Sequence, residues 1–234
     1  ACKERNKLPK TSDDVLKDEL SDKTYSVVKQ VGPRYVRRMC MHCVTPSCVS
    51  ACPVGAFVKS ESGPVTYLES RCMGCRYCMI ACPFGIPKYE WEKKAPLVRK
   101  CDLCADRLAQ GLKTGCATAC PTGATTFGDR DALVAEARER FRANPGRYNE
   151  HIYGLEEVGG TSVLLISDGK AEELGYPAAL DETPPAFLTW RALNIIPDIV
   201  MTGAVLLGGI YWIRNRRDEV EAAEGGHHET PKGH

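Results

Sequence analysis

The sequence predicts an α+β fold: repeated units of a cysteine loop, a short helix and a short strand, followed by one C-terminal transmembrane helix. Three observations predict it. Thirteen cysteines stand in 234 residues, and they fall into spaced blocks that each close on Cys-Pro. The closings themselves repeat, as Ala51-Cys52-Pro53-Val54-Gly55-Ala56, Ala81-Cys82-Pro83-Phe84-Gly85-Ile86 and Ala119-Cys120-Pro121-Thr122-Gly123-Ala124. Near the C-terminus, residues 199–213 form an apolar run without a charge.

Residues 1–39 are mostly polar, and Ala1 to Pro9 shows neither an initiator Met nor an apolar signal segment. Residues 25–31 alternate with β-branched side chains and read as a strand leading into the first block. That block is Cys40-x2-Cys43-x4-Cys48-x3-Cys52-Pro53. The second is Cys72-x2-Cys75-x2-Cys78-x3-Cys82-Pro83, and the third is Cys101-x2-Cys104-x11-Cys116-x3-Cys120-Pro121. The segments that follow, at 57–59, 88–91 and 125–127, are short and aromatic or β-branched, as strands are.

The cysteine-free part begins at Asp129, which can cap a helix over residues 131–143 with Leu133, Val134, Ala137 and Phe141 on one face. Residues 161–166 read as a buried strand, and residues 129–176 as an α/β extension packed on the cysteine region. The proline-bearing stretch at 177–192 reads as a linker. A transmembrane helix is expected at 193–213, with Pro197 and Asp198 near one end. Trp190 and Tyr211-Trp212 sit where interfacial aromatic belts belong. Arg214, Arg216 and Arg217 follow it, while the flank from Glu172 to Asp181 is acidic. The positive-inside bias therefore puts the C-terminus in the cytoplasm and the cysteine region outside. Residues 214–234 read as a disordered tail; its His227, His228 and His234 suggest a floppy end or tag remnant rather than a metal site.

A formal net charge of +1 gives no reason to expect nucleic acid. The pairs Arg37-Arg38 and Arg99-Lys100 read as solvated faces. Disulfide frameworks belong to small secreted scaffolds and need no Cys-Pro closings, so the cysteines read as metal ligands. Structural zinc takes two separated pairs, whereas here a third cysteine lies in the same loop. Thiolate-only sets at the second block's spacing hold cubane iron–sulfur clusters in bacterial ferredoxins, and there the fourth cysteine ligates the neighbouring cluster. That exchange assigns Cys40, Cys43, Cys48 and Cys82 to one cluster. It assigns Cys72, Cys75, Cys78 and Cys52 to a second. No nucleophile–base pair, phosphate loop or open metal site accompanies them, so no catalytic residue is assigned. His42 and His151 are given no redox role, His42 reading as a hydrogen-bonded surface residue.

The cysteine region resembles the four-cluster [4Fe-4S] ferredoxin-type beta subunits of membrane-bound respiratory oxidoreductases. It is most similar to those of periplasm-facing nickel–iron hydrogenases and formate dehydrogenases. The residues that carry the resemblance are Cys40-Met41-His42-Cys43, Gly74-Cys75-Arg76-Tyr77-Cys78, Ala81 to Pro87, Arg99 to Cys104 and Gly159-Gly160-Thr161. In that family a further block precedes these and ends Ala-Cys-Lys-x-x-Asn, which Ala1-Cys2-Lys3-Glu4-Arg5-Asn6 matches. The resemblance implies duplicated bacterial-ferredoxin-like domains over residues 1–128. It implies that Cys101, Cys104, Cys116 and Cys2 share a third [4Fe-4S] cluster. Cys120 would serve a fourth, in the full protein, whose other ligands are absent here. An Ala-Cys junction also fits a lipoprotein site, though the residues after Cys2 follow the ferredoxin pattern.

The implied function is electron transfer between a periplasmic catalytic subunit and a quinone-reactive subunit of the cytoplasmic membrane. Such subunits are usually exported folded, through a twin-arginine signal lying upstream. Residues 40–48 and Tyr89-Glu90-Trp91 favour a hydrogenase over formate dehydrogenase or another molybdenum or tungsten enzyme. A reading of another class is a scaffold whose clusters hold a partner at the membrane without turnover. In either case, folding should depend on the clusters.

Overall fold

Three antiparallel strand pairs frame the cysteine loops in the computed structural model, which describes residues 1–10, 12–178 and 180–225. A single helical turn, α1 (Cys2–Arg5), comes first. The hairpin of β1 (Ser26–Val31) and β2 (Arg34–Met39) sets Val31 opposite Arg34 and Ser26 opposite Met39. Gly32 in its two-residue connection takes φ +58°, a left-handed conformation open to glycine without a Cβ penalty. Because β2 stops at Met39, the first cysteine loop begins where the ladder ends.

That loop contains α2 (Ser47–Ser50), and the chain then forms β3 (Phe57–Lys59), which pairs with β4 (Val65–Tyr67). The second loop contains α3 (Tyr77–Ala81) and leads into β5 (Lys88–Tyr89), paired with β6 (Val98–Arg99). β6 ends two residues before Cys101. The third loop holds α4 (Ala105–Ala109) and α5 (Gly115–Thr118). The long helix α6 (Arg130–Ala143) follows, and Asp129 caps it by accepting from the N–H groups of Asp131 and Ala132 at 3.0 and 3.1 Å.

Apolar packing is split among small cores, each touching cysteines. One gathers Val36, Met39, Met41, Phe84, Ile86 and Tyr153 around Cys40 and Cys101. A second gathers Phe57, Val65 and Val98 around Cys78, with Val65 and Val98 each 1% exposed. Burying a valine so fully contributes about 1.5–3 kcal/mol. The Phe57 and Tyr67 rings, 5.0 Å apart across the β3–β4 pair, add about 0.5–1.5 kcal/mol. A third core packs Val134 and Ala137 of α6 against Ile152.

Several expected elements differ. Residues 125–127 are not a strand; the Thr125 N–H donates to Cys120 Sγ instead of to a ladder. Residues 161–166 form two isolated bridges, Thr161 with Cys43 and Leu165 with Tyr153. Their backbone bonds are divided among partners, since Ser162 donates to His42 O, Val163 to Met41 O and Thr161 to Gly154 O. A strand needs one continuous neighbour. The strand expected at 88–91 is shortened to β5 by the turn at Trp91–Lys93, where Lys93 N–H returns to Glu90 O.

Residues Ala1–Ala186 and Phe187–His234 form two separate units. Part of the expected linker is helical, as α7 (Pro185–Leu193), whose first position suits proline because its missing N–H would be unpaired there anyway. The apolar helix α8 (Ile196–Gly225) also admits Pro197 in its first turn for that reason. Helix α8 does not stop at residue 213. It continues through residues 214–225, expected to be disordered, where Arg216 pairs with Glu219 at 3.2 Å and Arg217 with Glu221 at 2.9 Å. His227, His228 and His234 lie outside the described residues. Over Ile196–Glu224 the helix is long and apolar enough to cross a membrane, with a mean hydropathy of 1.6 in its most apolar window.

Candidate iron–sulfur site

All thirteen cysteines are free of disulfides. Twelve of them fall into three groups of four. Cys43 interacts with Cys40, Cys48 and Cys82, so the first block's leading cysteines meet the last cysteine of the second. Cys78 interacts with Cys72, Cys75 and Cys52, the reciprocal exchange. Cys2, Cys101, Cys104 and Cys116 line one small cavity together with Arg37 and Asn6. Cys120 stands apart near the surface, beside the Thr122 hydroxyl.

The groups are also neighbours in series. Cys48 of the first group interacts with Cys78 of the second, and Cys101 of the third with Cys40 of the first. The first group therefore lies between the other two. Among the described residues, no three Cys, His, Asp or Glu side chains close tightly enough to hold a single metal ion. A lone zinc needs sulfurs at about 2.3 Å from one point, whereas a four-iron cube keeps its thiolates farther apart by its own bulk.

Backbone donors are aimed at the sulfurs. Ala56 N–H donates to Cys52 at 3.2 Å, and Gly74 N–H to Cys72, Leu103 N–H to Cys101 and Gly115 N–H to Cys104, each at 3.4 Å. The N–H groups of Phe84, Gly85 and Ile86 are turned toward Cys82. To turn them so, the loops use left-handed backbone at His42, Arg76, Leu103 and Cys104, each costing about 1–3 kcal/mol. Gly74 is required on two counts: its φ is +75°, and a Cβ there would lie 3.1 Å from Tyr89 Oη.

Burial first, then the neighbouring thiols, pushes Cys43, Cys48 and Cys78 up to about 12, and raises Cys2, Cys82 and Cys101. Crowded thiols resist ionising. A cationic iron–sulfur core reverses that preference by displacing their protons. Cys116 is lowered: burial opposes this, but the Arg37 guanidinium and the Thr114 hydroxyl prevail. Cys120 is lowered to about 7, chiefly by its hydrogen bonds to Thr122 and the Thr125 N–H. Soft, converging, hydrogen-bonded sulfurs in groups of four fit cubane clusters.

The comparisons agree with that chemistry. Residues 31–130 match the family model of the 4Fe-4S dicluster domain. A protein of Nitratidesulfovibrio vulgaris is 41% identical over 244 residues, covering 96% of this chain and 64% of its own length. The hydrogenase-2 operon protein HybA of Escherichia coli O157:H7 is 34% identical over 221 residues, covering 83% of this chain and 67% of its own. The formate dehydrogenase-O iron–sulfur subunit of Escherichia coli K12 is 36% identical over 213 residues, covering 87% and 68%. The chain belongs to this family of ferredoxin-type [4Fe-4S] subunits. It spans about two thirds of the length of these curated relatives.

Within this ferredoxin-type subunit, three residues depart from the sequence reading. His42 is fully buried rather than at the surface; its Nδ1 accepts from the Val65 N–H at 2.9 Å, and its Nε2 has no partner among the described residues. Burial, then the cations Lys100 and Lys59, holds its imidazole well below the ordinary value, so it is neutral. Arg99-Lys100 is not a solvated pair. Arg99 binds Glu90 at 2.7 Å and also Glu69, while Lys100 is 8% exposed. Neither was legible in sequence, because the partners come from other segments of the chain. His151 is an ordinary ion-pair candidate, its Nε2 lying 2.6 Å from Glu157 Oε1.

Proposed function

We propose that the chain relays electrons, one at a time, through three [4Fe-4S] clusters. These are held by Cys72, Cys75, Cys78 and Cys52, then by Cys40, Cys43, Cys48 and Cys82, then by Cys101, Cys104, Cys116 and Cys2. The observation that carries this reading is the serial proximity of the groups: Cys48 packs on the small core that buries Cys78, and Cys40 shares a core with Cys101. Each cluster supplies a delocalised site for one electron, and the loops supply donors to the sulfurs that tune its potential. Cys120 is left for a fourth cluster.

The relay would run between a periplasmic catalytic subunit and a quinone-reactive membrane subunit. α8 would anchor the chain, with Arg214, Arg216 and Arg217 on the cytoplasmic side. Hydrogenase is the favoured catalytic partner. Formate dehydrogenase stands as the second reading, supported by 36% identity to a subunit so named, as high as the 34% to HybA.

Redox titration followed by electron paramagnetic resonance tests the relay. Clusters in the purified complex should reduce with the partner's substrate and reoxidise with quinone. Clusters that do neither would leave the scaffold reading in its place. Nickel in the co-purifying subunit selects hydrogenase; molybdenum or tungsten selects formate dehydrogenase.

A further inference from the structure

Lys100 is a buried ammonium held by neutral oxygens. Its Nζ donates to the Val65 carbonyl and, at 2.9 Å, to the Cys101 carbonyl, and it lies 5.6 Å from the centre of the Phe57 ring. Among the described residues no carboxylate pairs with it. Its neighbour Arg99 makes the contrast, having both Glu90 and Glu69. An ammonium taken out of water without a counter-charge is strongly unfavourable, so a buried one implies an anion close by.

The anionic groups on hand are sulfurs. Lys100 Nζ reaches the backbone of Cys101 in the third group, and the Phe57 ring it lies against belongs to the small core on which Cys48 of the first group packs. The ammonium is also fixed in place. Val65, whose carbonyl accepts the Nζ hydrogen bond, is itself held, because its N–H donates to His42 Nδ1. β4 thus pins the ammonium between two cysteine groups.

We propose that Lys100 is a positioning residue: a buried counter-cation shared by the clusters of the first and third groups, which raises their reduction potentials. The inference rests on the relay reading above. Each one-electron reduction adds a negative charge to a cluster already ligated by four thiolates, with no proton taken up. A fixed ammonium beside it makes that added charge less costly, so an electron resides preferentially on the clusters of the first and third groups.

The test is a potentiometric titration of the full protein with dithionite, read by electron paramagnetic resonance, on native chain and on K100R, K100Q and K100M. K100Q keeps an N–H donor without charge, K100R keeps the charge, and K100M keeps neither. Reduction of at least one cluster should become tenfold or more less favourable in both K100Q and K100M, a downward shift of 59 mV for one electron. K100R should titrate as the native protein does. Native potentials in a K100Q protein with full iron content would overturn the proposal, as would a shift in K100M alone, which assigns the effect to hydrogen bonding. Should the neutral variants assemble no clusters, native protein grown with 15N-lysine carries the test. Spin-echo modulation from a lysine nitrogen is expected on a reduced cluster, and its absence overturns the assignment. Failure of the relay reading itself would show earlier, as native protein without reducible [4Fe-4S] signals.

Discussion

Arg5 grips Asp102 through two parallel bonds, Nη1 to Oδ1 at 3.0 Å and Nη2 to Oδ2 at 2.8 Å, across 97 residues of chain. The same guanidinium also pairs with Asp106. Bidentate geometry fixes direction as well as distance. It seats the single turn of α1 against the third cysteine loop, and Cys2 enters the cavity of Cys101, Cys104 and Cys116 as a result.

Breaking that clamp should therefore cost one cluster selectively. R5A and D102N each remove charge-assisted bonds worth about 1–3 kcal/mol, discounted for partial exposure. Iron and sulfide analysis should show the loss of one cluster from the complement, with the remaining clusters spectroscopically intact. A full complement in R5A would separate Cys2 from the third group.

Glu90 gives the subunit a dependence on acid. Burial acts to raise its carboxyl, but hydrogen bonds from Lys93, Arg99 and the Leu97 N–H prevail and hold it below the ordinary range. A depressed carboxyl contributes stability that is complete above its unfolded value of about 4.3 and is lost as pH falls through the folded value. Thermal unfolding from pH 7 to pH 3 should show the native midpoint falling at the acid end. E90Q should be less stable by about 1–3 kcal/mol at pH 7, and its disadvantage should shrink as the pH drops.

Gly154 supports the first cysteine loop from behind. Its φ is +93°, and a Cβ would lie 2.6 Å from Val163 O and 3.3 Å from the Met41 methyl. G154A should destabilise the unit by about 2–4 kcal/mol, from left-handed strain and overpacking together. The measurement is the thermal midpoint together with iron content. An unchanged midpoint would mean that the Thr161–Val163 segment yields freely.

Iron removal should unfold Ala1–Ala186. The small cores of this unit include the cysteines themselves, and binding of a core to them is folding free energy. Chelation under reducing conditions should abolish the near-ultraviolet circular dichroism signal, and reconstitution with iron and sulfide should restore it.

Membrane association should reside in α8. A chain ending at Pro185 should leave the membrane fraction when expressed without partners. An arginine at Leu206, mid-helix, should weaken insertion by about 2.5–3.5 kcal/mol. Sedimentation of the truncated chain with membranes would count against the anchor.

The sequence by itself determined the ligand chemistry. Cysteine spacing is local: three thiolates two to four residues apart come from one loop, and the Cys-Pro exchange rule places Cys52 and Cys82 across from their own blocks. The Asp129 cap and the α6 face were legible for the same reason, since both rest on neighbours within four residues. Strand status at 125–127 and 161–166 was not, because a strand exists only if one partner offers a continuous ladder. Charge was misread at Lys100, since a dipeptide cannot tell whether its side chains meet carboxylates, as Arg99 does, or carbonyl oxygens, as Lys100 does. Only the tertiary structure set the first cysteine group between the other two, buried His42, and brought Cys2 to Cys101 through the Arg5–Asp102 clamp. Those are contacts between residues far apart in the chain, and packing, not spacing, closes them.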